Sequence, residues 1–403
     1  MAMSLQPDII WILTTQWRAS ATGYSQDPNA RTPWIDGLAS ESLNYDQAVT
    51  PHPSGPQARA ALYTGRLSPD SGVTDYWDPL PNDARTIAHV LHDRGYVSAF
   101  FGKWHLSARD RNAPFVGDSH AKTIVPVSNR GGFDLWEGFE SGFLLNDPWL
   151  HGTRILKPQR FSGYQSDILV QRAAEWMKTA CSGPRFCVLS LEAPHPPYRA
   201  AAPRVSVPSA ESLALRANVP RGGKVEEKAR FELAGYYSNI EATDRSIGSL
   251  ISEVDLTNTV LVFTSVHGDM HGSHGVFRKG WPYEESIRVP LLVRNPRQPL
   301  LERRDTSPVS LHDLPHMTAA WAELREWRCK RDFAPISLPA APAIPLQCDR
   351  PWRGFRSPQH KLILNGDGSP WLYFDLNRDP WEMENLVGNP KHTGEIERSR
   401  VLI

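Results

Sequence analysis

The sequence has no excess of either charge: 44 Lys and Arg stand against 44 Asp and Glu over 403 residues, a formal net charge of zero. A balanced chain offers nothing to a polyanion, so neither nucleic acid nor an anionic membrane surface is expected as a partner. Cysteine is scarce. Cys181, Cys187, Cys329 and Cys348 are too few for a disulfide scaffold and lack the C-x-x-C spacing of a metal site. Long apolar runs are missing as well. The first, Ile9 to Leu13, follows no basic stretch and is far shorter than the roughly 20 residues of a membrane helix. The expectation is a soluble, cytoplasmic protein. What the chain has in quantity is proline (35) and tryptophan (14), which point to long ordered loops and aromatic packing. A hydrophobic content of 40% is enough for a large core.

Short apolar runs recur at intervals: Asp8 to Leu13, Tyr96 to Phe101, Phe186 to Leu191, Thr259 to Thr264 and Leu291 to Val293. Each reads as a strand buried on both faces. Helical patterns lie between them, at Ile87–Arg94 and most clearly over residues 226–253. There Leu233, Tyr237, Ile240, Ile247 and Leu250 recur at three-, four- and seven-residue steps. Alternation of this kind predicts an α/β fold with a mostly parallel central sheet flanked by helices. After residue 300 the pattern changes. Pro-rich Phe333–Pro345 reads as a connector, and Lys361–Leu364 with Trp371–Phe374 as a hairpin. The predicted division is a catalytic domain over 1–300 and a small C-terminal α+β subdomain over 301–403.

Ligands of open α/β sheets gather beyond the carboxyl ends of the strands. That rule places Thr14-Thr15, Lys103-Trp-His105, His195 and Val266-His267 around one crevice. At these positions the chain resembles the sulfatase family of the alkaline phosphatase superfamily. Thr32-Pro-Trp-Ile-Asp-Gly-Leu-Ala39 is similar to T-P-N-L-D-x-L-A, and Arg59-Ala-Ala-Leu-Tyr-Thr-Gly-Arg66 to R-A-S-L-x-T-G-R. Gly102-Lys-Trp-His-Leu106 matches G-K-W-H-L, and Ala193-Pro-His-Pro-Pro-Tyr198 resembles A-P-H-x-P-Y. Lys279 to Pro290 is close to K-G-x-x-Y-E-E-S-I-R-V-P.

The resemblance implies a metal-dependent hydrolase, with an Asp pair after the first strand and an Asp in S-D-H-G holding calcium. It also implies a Cys or Ser converted to formylglycine as nucleophile. The chain departs at these positions. It has Thr14 and Thr15 for the Asp pair, Ser265-Val-His-Gly268 for S-D-H-G, and Gly55 at the nucleophile position with Gln57 for the motif proline. Hard cations need carboxylate oxygens, so neither calcium nor formylglycine is expected here. The basic residues remain. The resemblance makes Arg59 a support for the nucleophile position, pairs Lys103 with His105 beside it, puts His195 and Lys279 on the sulfate, and puts His267 beside the metal.

Each reading has an ordinary counterpart. Lys103, His105 and Lys279 could be relics paired with acids, and His195 a hydrogen-bonded loop histidine. His267, Asp269, His271 and His274 are dense enough to be weighed as a replacement metal site. Ser54 could substitute for the nucleophile if Gln57 is an insertion. Thr14 and Thr15 read as neutral hydrogen-bonding substitutes. The leading expectation is an enzyme without metal or formylglycine that binds a sulfate, sulfonyl or phosphate group of an anionic small molecule. Arg59, Lys103, Lys279, His195, Thr14 and Thr15 would bind it, and Lys103, His105, His195 or His267 would serve catalysis by transfer or elimination. The alternatives are a conventional ester hydrolase and a non-catalytic anion-binding protein. Oligomeric state stays open.

Overall fold

The computed structural model describes residues 6–199, 202–298, 300–342 and 344–403. Among the described residues ten strands form the central sheet: β1 (Asp8–Thr14), β2 (Leu43–Tyr45), β3 (Val97–Lys103), β4 (Leu135–Phe139), β5 (Trp149–Gly152), β6 (Gln159–Arg160), β7 (Arg185–Ser190), β8 (Thr259–Ser265), β9 (Leu291–Arg294) and β10 (Arg304–Asp305). Their order is β10-β2-β9-β8-β1-β7-β3-β4-β5-β6. The middle of the sheet, from β8 through β1, β7 and β3 to β4, is parallel throughout. β9 runs antiparallel to β8, so Leu291–Val293 is a strand as predicted but of opposite sense.

The pleat of β1 explains why its sequence reads as an unbroken apolar run. Ile9, Trp11 and Leu13 enter one core, with the helices Gly55–Thr64, Ile87–His92 and Leu314–Ala322. Ile10 and Ile12 enter the other, with Gln165–Met177 and the long helix Lys224–Glu253. Both faces are covered, which removes the polar alternation of a half-exposed strand. All four cysteines are free. No helix among the described residues is long and apolar enough to cross a membrane.

The C-terminal sheet is antiparallel, in the order β11 (Ala334–Leu338), β12 (Trp352–Arg356), β13 (His360–Asn365), β14 (Pro370–Asp375). The predicted hairpin is β13–β14. The predicted connector is corrected: its first half is β11, whose alternating buried residues Ala334, Ile336 and Leu338 pack inward, while Ala343 lies outside the described residues. The division at residue 300 is corrected too. β10 extends the central sheet, and the Leu314–Ala322 helix belongs to the first core, so the smaller unit begins after that helix.

This unit reaches the site through the segment that follows Lys279. Buried Glu284 accepts from Arg356 and Lys361, and Trp352 Nε1 donates to Gly280 O at 2.8 Å. On the opposite side the long helix meets the loop of Tyr198 through a glycine. A Cβ at Gly235 would lie 1.8 Å from Tyr198 O, a backbone atom that can retreat only with its loop. Gly235→Ala is therefore expected to cost about 1–3 kcal/mol by denaturant unfolding. The same change is expected to weaken anion binding, because His195 and Tyr198 share that loop.

Candidate active site

The carboxyl ends of β1, β3, β7 and β8 lie along one edge, and the loops leaving them converge. The side chains they bring together are Thr15, Gln16, Lys103, His105, Glu192, His195, His267 and Asp269. Lys279 arrives from the loop before β9, and Arg59 from the second turn of the Gly55–Thr64 helix. All ten are buried.

Arg59 is committed to scaffolding. Nη1 donates to Lys103 O (3.1 Å) and Ser190 Oγ (2.7 Å), and Nη2 to Thr15 Oγ1 (3.0 Å), so it joins the ends of three strands. Thr14 is not in the site. Its hydroxyl donates back into the sheet, to Thr264 O at 3.2 Å. The residue that takes its place is Gln16, which sequence reasoning missed; a backbone φ of 69° turns it inward. Gln16 Oε1 accepts from Lys279 Nζ at 2.9 Å, and its amide nitrogen donates to Asp269. A signal was available, since Gln16 directly follows Thr15 at a strand end.

Lys103 forms an ion pair with Glu192 (2.5 Å), a second residue that sequence reasoning missed. The pocket has therefore not lost all its acids: Glu192 faces Lys103, and Asp269 reaches Lys279 through Gln16. Phe143 is a third addition, which nothing in the sequence signalled. Its ring stacks on His195 (centroids 4.3 Å apart), with Lys103 Nζ 4.6 Å from its centre. Burial pushes Lys103 down to about 8, although Glu192 opposes the shift. Burial and the neighbouring Lys103 push Lys279 down to about 7.

The three histidines are all held well below their ordinary value, first by burial and then by the surrounding cations. Two have a defined tautomer. His195 Nδ1 donates to Pro196 O (2.7 Å) and His267 Nδ1 to Gly268 O (3.0 Å), which leaves each Nε2 as an acceptor. His195 Nε2 accepts from Lys279 at 3.3 Å, whereas His267 Nε2 has no hydrogen bond among the described residues. His105 is different. Its Nε2 meets Tyr76 Oη at 3.2 Å, and its ring edge lies against Gly55.

A hard divalent cation needs several oxygen donors converging on one point. Here Thr15 Oγ1 is engaged by Leu191 O and Arg59, Val266 is apolar and fully buried, and Asp269 Oδ2 already accepts from Tyr198 and Gln16. This donor set does not fit calcium. Gly55 offers no side chain to convert. The Ser54 hydroxyl donates to Gln57 Oε1 at 2.6 Å. The weighed quartet is also corrected: His271 packs on Tyr236, His274 stacks on Tyr283, and the four do not converge. Among the described residues the one group with metal-ligand spacing is His274, Glu285 and Glu382. It is already neutralised by Arg216 on Glu285 and Lys361 on Glu382.

A cavity of about 580 Å³ leads from this floor to the surface. Tyr76, Phe143, His195, Tyr198 and Lys279 line its buried end, and Val116 and Phe231 its exposed end.

The match to known proteins runs over the same residues. A profile of the family described as Sulfatase matches residues 7–324. The ulvan-active sulfatase of Formosa agariphila is 30% identical over 96% of this chain and 78% of its own length. Among solved structures, BT4656 in complex with D-glucosamine-2-N,6-O-disulfate superposes with a TM-score of 0.78 at 20% identity, covering 98% of this chain and 96% of that one. The phosphonate monoester hydrolase SpPMH of Silicibacter pomeroyi gives the same TM-score at 19% identity, covering 98% and 94%. Fold, motif order and these likenesses agree: the chain belongs to the sulfatase family.

Proposed function

We propose that this protein acts on a sulfate, sulfonyl or phosphate group carried by an anionic small molecule, without divalent cation or formylglycine, and that it transfers or eliminates the group rather than hydrolysing it through a metal-activated nucleophile. The observation that carries this reading is a paired substitution. Cationic and imidazole groups still converge on one buried point, while the positions that would hold a cation carry Thr15, Gln16 and Val266. A bound dianion would draw a proton onto Lys279, and the resulting ammonium would stabilise charge that develops as the group departs. His267 Nε2 is oriented to accept a proton from an attacking hydroxyl, and His195 fixes the position of Lys279. Arg59 and Glu192 position this machinery without touching the substrate.

The cavity mouth suits an apolar or aromatic organic part. Phe115, Val116, Phe231, Ile344 and Pro345 surround it, with Arg199 and Lys228 placed to meet a further negative group. The named relatives act on sulfated or phosphonate compounds, which supports the group acted upon and leaves the organic part to this mouth.

The test uses the full chain freed of metal by chelator. It is expected to bind sulfate and phosphate by calorimetry, and to turn over members of a panel of aryl and alkyl sulfates and phosphates when an alcohol acceptor is supplied. Turnover that chelation abolishes and a divalent cation restores would overturn the metal-free reading. Anion binding with no turnover of any panel member would favour a binding protein instead.

A further inference from the structure

We propose that the group acted upon is carried by an amphiphile: a sulfate or phosphate ester of a hydrophobic alcohol or phenol, whose apolar part fills the cavity and comes to rest on an apolar rim at its mouth. The assignment rests on the reading of the cavity floor as a sulfate or phosphate site and names the substrate class that the walls admit.

The walls carry the assignment because they offer a hydroxyl almost no partner. Tyr76 Oη meets His105 Nε2 at 3.2 Å, and Tyr198 Oη donates to Asp269. Both Glu232 oxygens accept from Arg278, at 2.6 and 2.9 Å. Pro196, Pro197 and Pro345 line the cavity and have no N–H to give, and Pro196 O already accepts from His195. Among the described lining residues, Gln347 alone has a buried side-chain atom, Oε1, without a hydrogen bond. A sugar brings a hydroxyl on nearly every carbon, and each would leave water for a wall that cannot replace the lost bonds. A phenyl ring or an alkyl chain loses no hydrogen bond by the same transfer and is driven into the cavity by it.

The rim extends this surface outward. Val116 comes from the loop before the Asp118–Ala121 helix, Phe231 from near the start of the long helix, and Ile344 and Pro345 from the β11–β12 connection of the C-terminal unit. Val116, Phe231 and Pro345 are exposed. A lone exposed apolar residue is ordinary, whereas three from distant segments around one opening mark a place with an apolar occupant. Continuity identifies that occupant. The rim is the outer end of the cavity whose floor holds Lys279 and His195, so whatever is attached to an anion bound there passes over it. Charge sets the sign of the head group. Glu232 is the one acid among the lining residues and Arg278 neutralises it, which leaves Arg199 and Lys228 to draw an anionic amphiphile rather than a cationic one.

The test is calorimetry on the full chain, with alkyl sulfates kept below their micelle concentrations. From butyl through hexyl to octyl sulfate, affinity is expected to rise about three- to fourfold per added methylene, ~100-fold in all. Excess inorganic sulfate is expected to displace the octyl ester, and glucose 6-sulfate to bind no more tightly than inorganic sulfate. Phe231→Ser and Val116→Ser alter exposed positions, and each is expected to lower the ratio of octyl sulfate affinity to inorganic sulfate affinity at least ~5-fold. A gain below ~5-fold from butyl to octyl sulfate in the wild type overturns the assignment, because burial of the chain would then contribute nothing. Octyl sulfate that inorganic sulfate cannot displace overturns it too, as does glucose 6-sulfate that binds more tightly than the octyl ester. Any of these in a protein that binds sulfate leaves the anion site standing. Failure to bind sulfate, phosphate or any of the esters overturns the anion-site reading, and this assignment with it.

Discussion

Replacing Lys279 with methionine is expected to weaken sulfate binding on the order of 100-fold while making the free protein more stable. Both effects have one origin. The ammonium is buried, and burial together with Lys103 lowers its proton affinity from the ordinary 10.5 to about 7. The unfolded chain therefore binds more protons than the folded one between those two values. The contribution of this group to stability rises as pH rises through that window and is least favourable near and below pH 7. Methionine keeps the stem and removes the ionisable group, so the variant is expected to gain about 2–4 kcal/mol near pH 7, with the gain vanishing toward pH 10. Melting temperatures across this range check the sign, and calorimetry checks the binding loss. In the wild type, sulfate affinity is expected to fall as pH rises above about 7, approaching tenfold per unit, because sulfate does not titrate and Lys279 must gain a proton to meet it. In the variant the fall is expected to begin nearer 8, where Lys103 titrates.

The largest loss of stability is expected from Glu192→Gln. Lys103 and Glu192 form an ion pair that is almost wholly inaccessible, with side-chain exposures of 1% and 0%. Such a pair adds little net stability over an apolar substitute, but removing one partner strands the other charge at a cost of about 3–5 kcal/mol. The double variant with Lys103→Met is expected to recover most of that loss, so a double-mutant cycle by denaturant unfolding would show strong coupling. If Glu192→Gln is tolerated without loss, Lys103 is neutral in the free protein and the charge assignment of the pocket changes. Arg59 belongs to the same argument. Its three hydrogen bonds tie the ends of β1, β3 and β7, so it shapes the pocket rather than meeting the anion.

The overall zero charge argues against polyanion partners, and the site gives it a local counterpart. Arg59, Lys103 and Lys279 stand against Glu192 and Asp269, an excess of one positive charge carried by a lysine poised to titrate near neutrality. A pocket of this kind is close to neutral when empty and becomes cationic as an anion enters, which limits the desolvation penalty of the free state.

The sequence by itself determined the sheet, the long helix and the C-terminal hairpin, because each follows from a local rule. Apolar runs bury on two faces, three- and four-residue periodicity makes a helix, and strand ends in open α/β sheets point to one edge. The motifs singled out Lys103, His105, His195, His267 and Lys279, which the strand-end loops and the loop before β9 bring together. The tertiary structure alone decided what each of them faces. Thr14 turning into the sheet and Gln16 into the pocket depends on one residue of strand twist and a left-handed φ. The pairing of Glu192 with Lys103 depends on β7 lying beside β3, 89 residues apart in the chain. The meeting of His105 with Gly55 depends on a helix start and a strand end being brought within van der Waals range. Side-chain direction at such junctions is set by packing between distant segments, which no local pattern encodes.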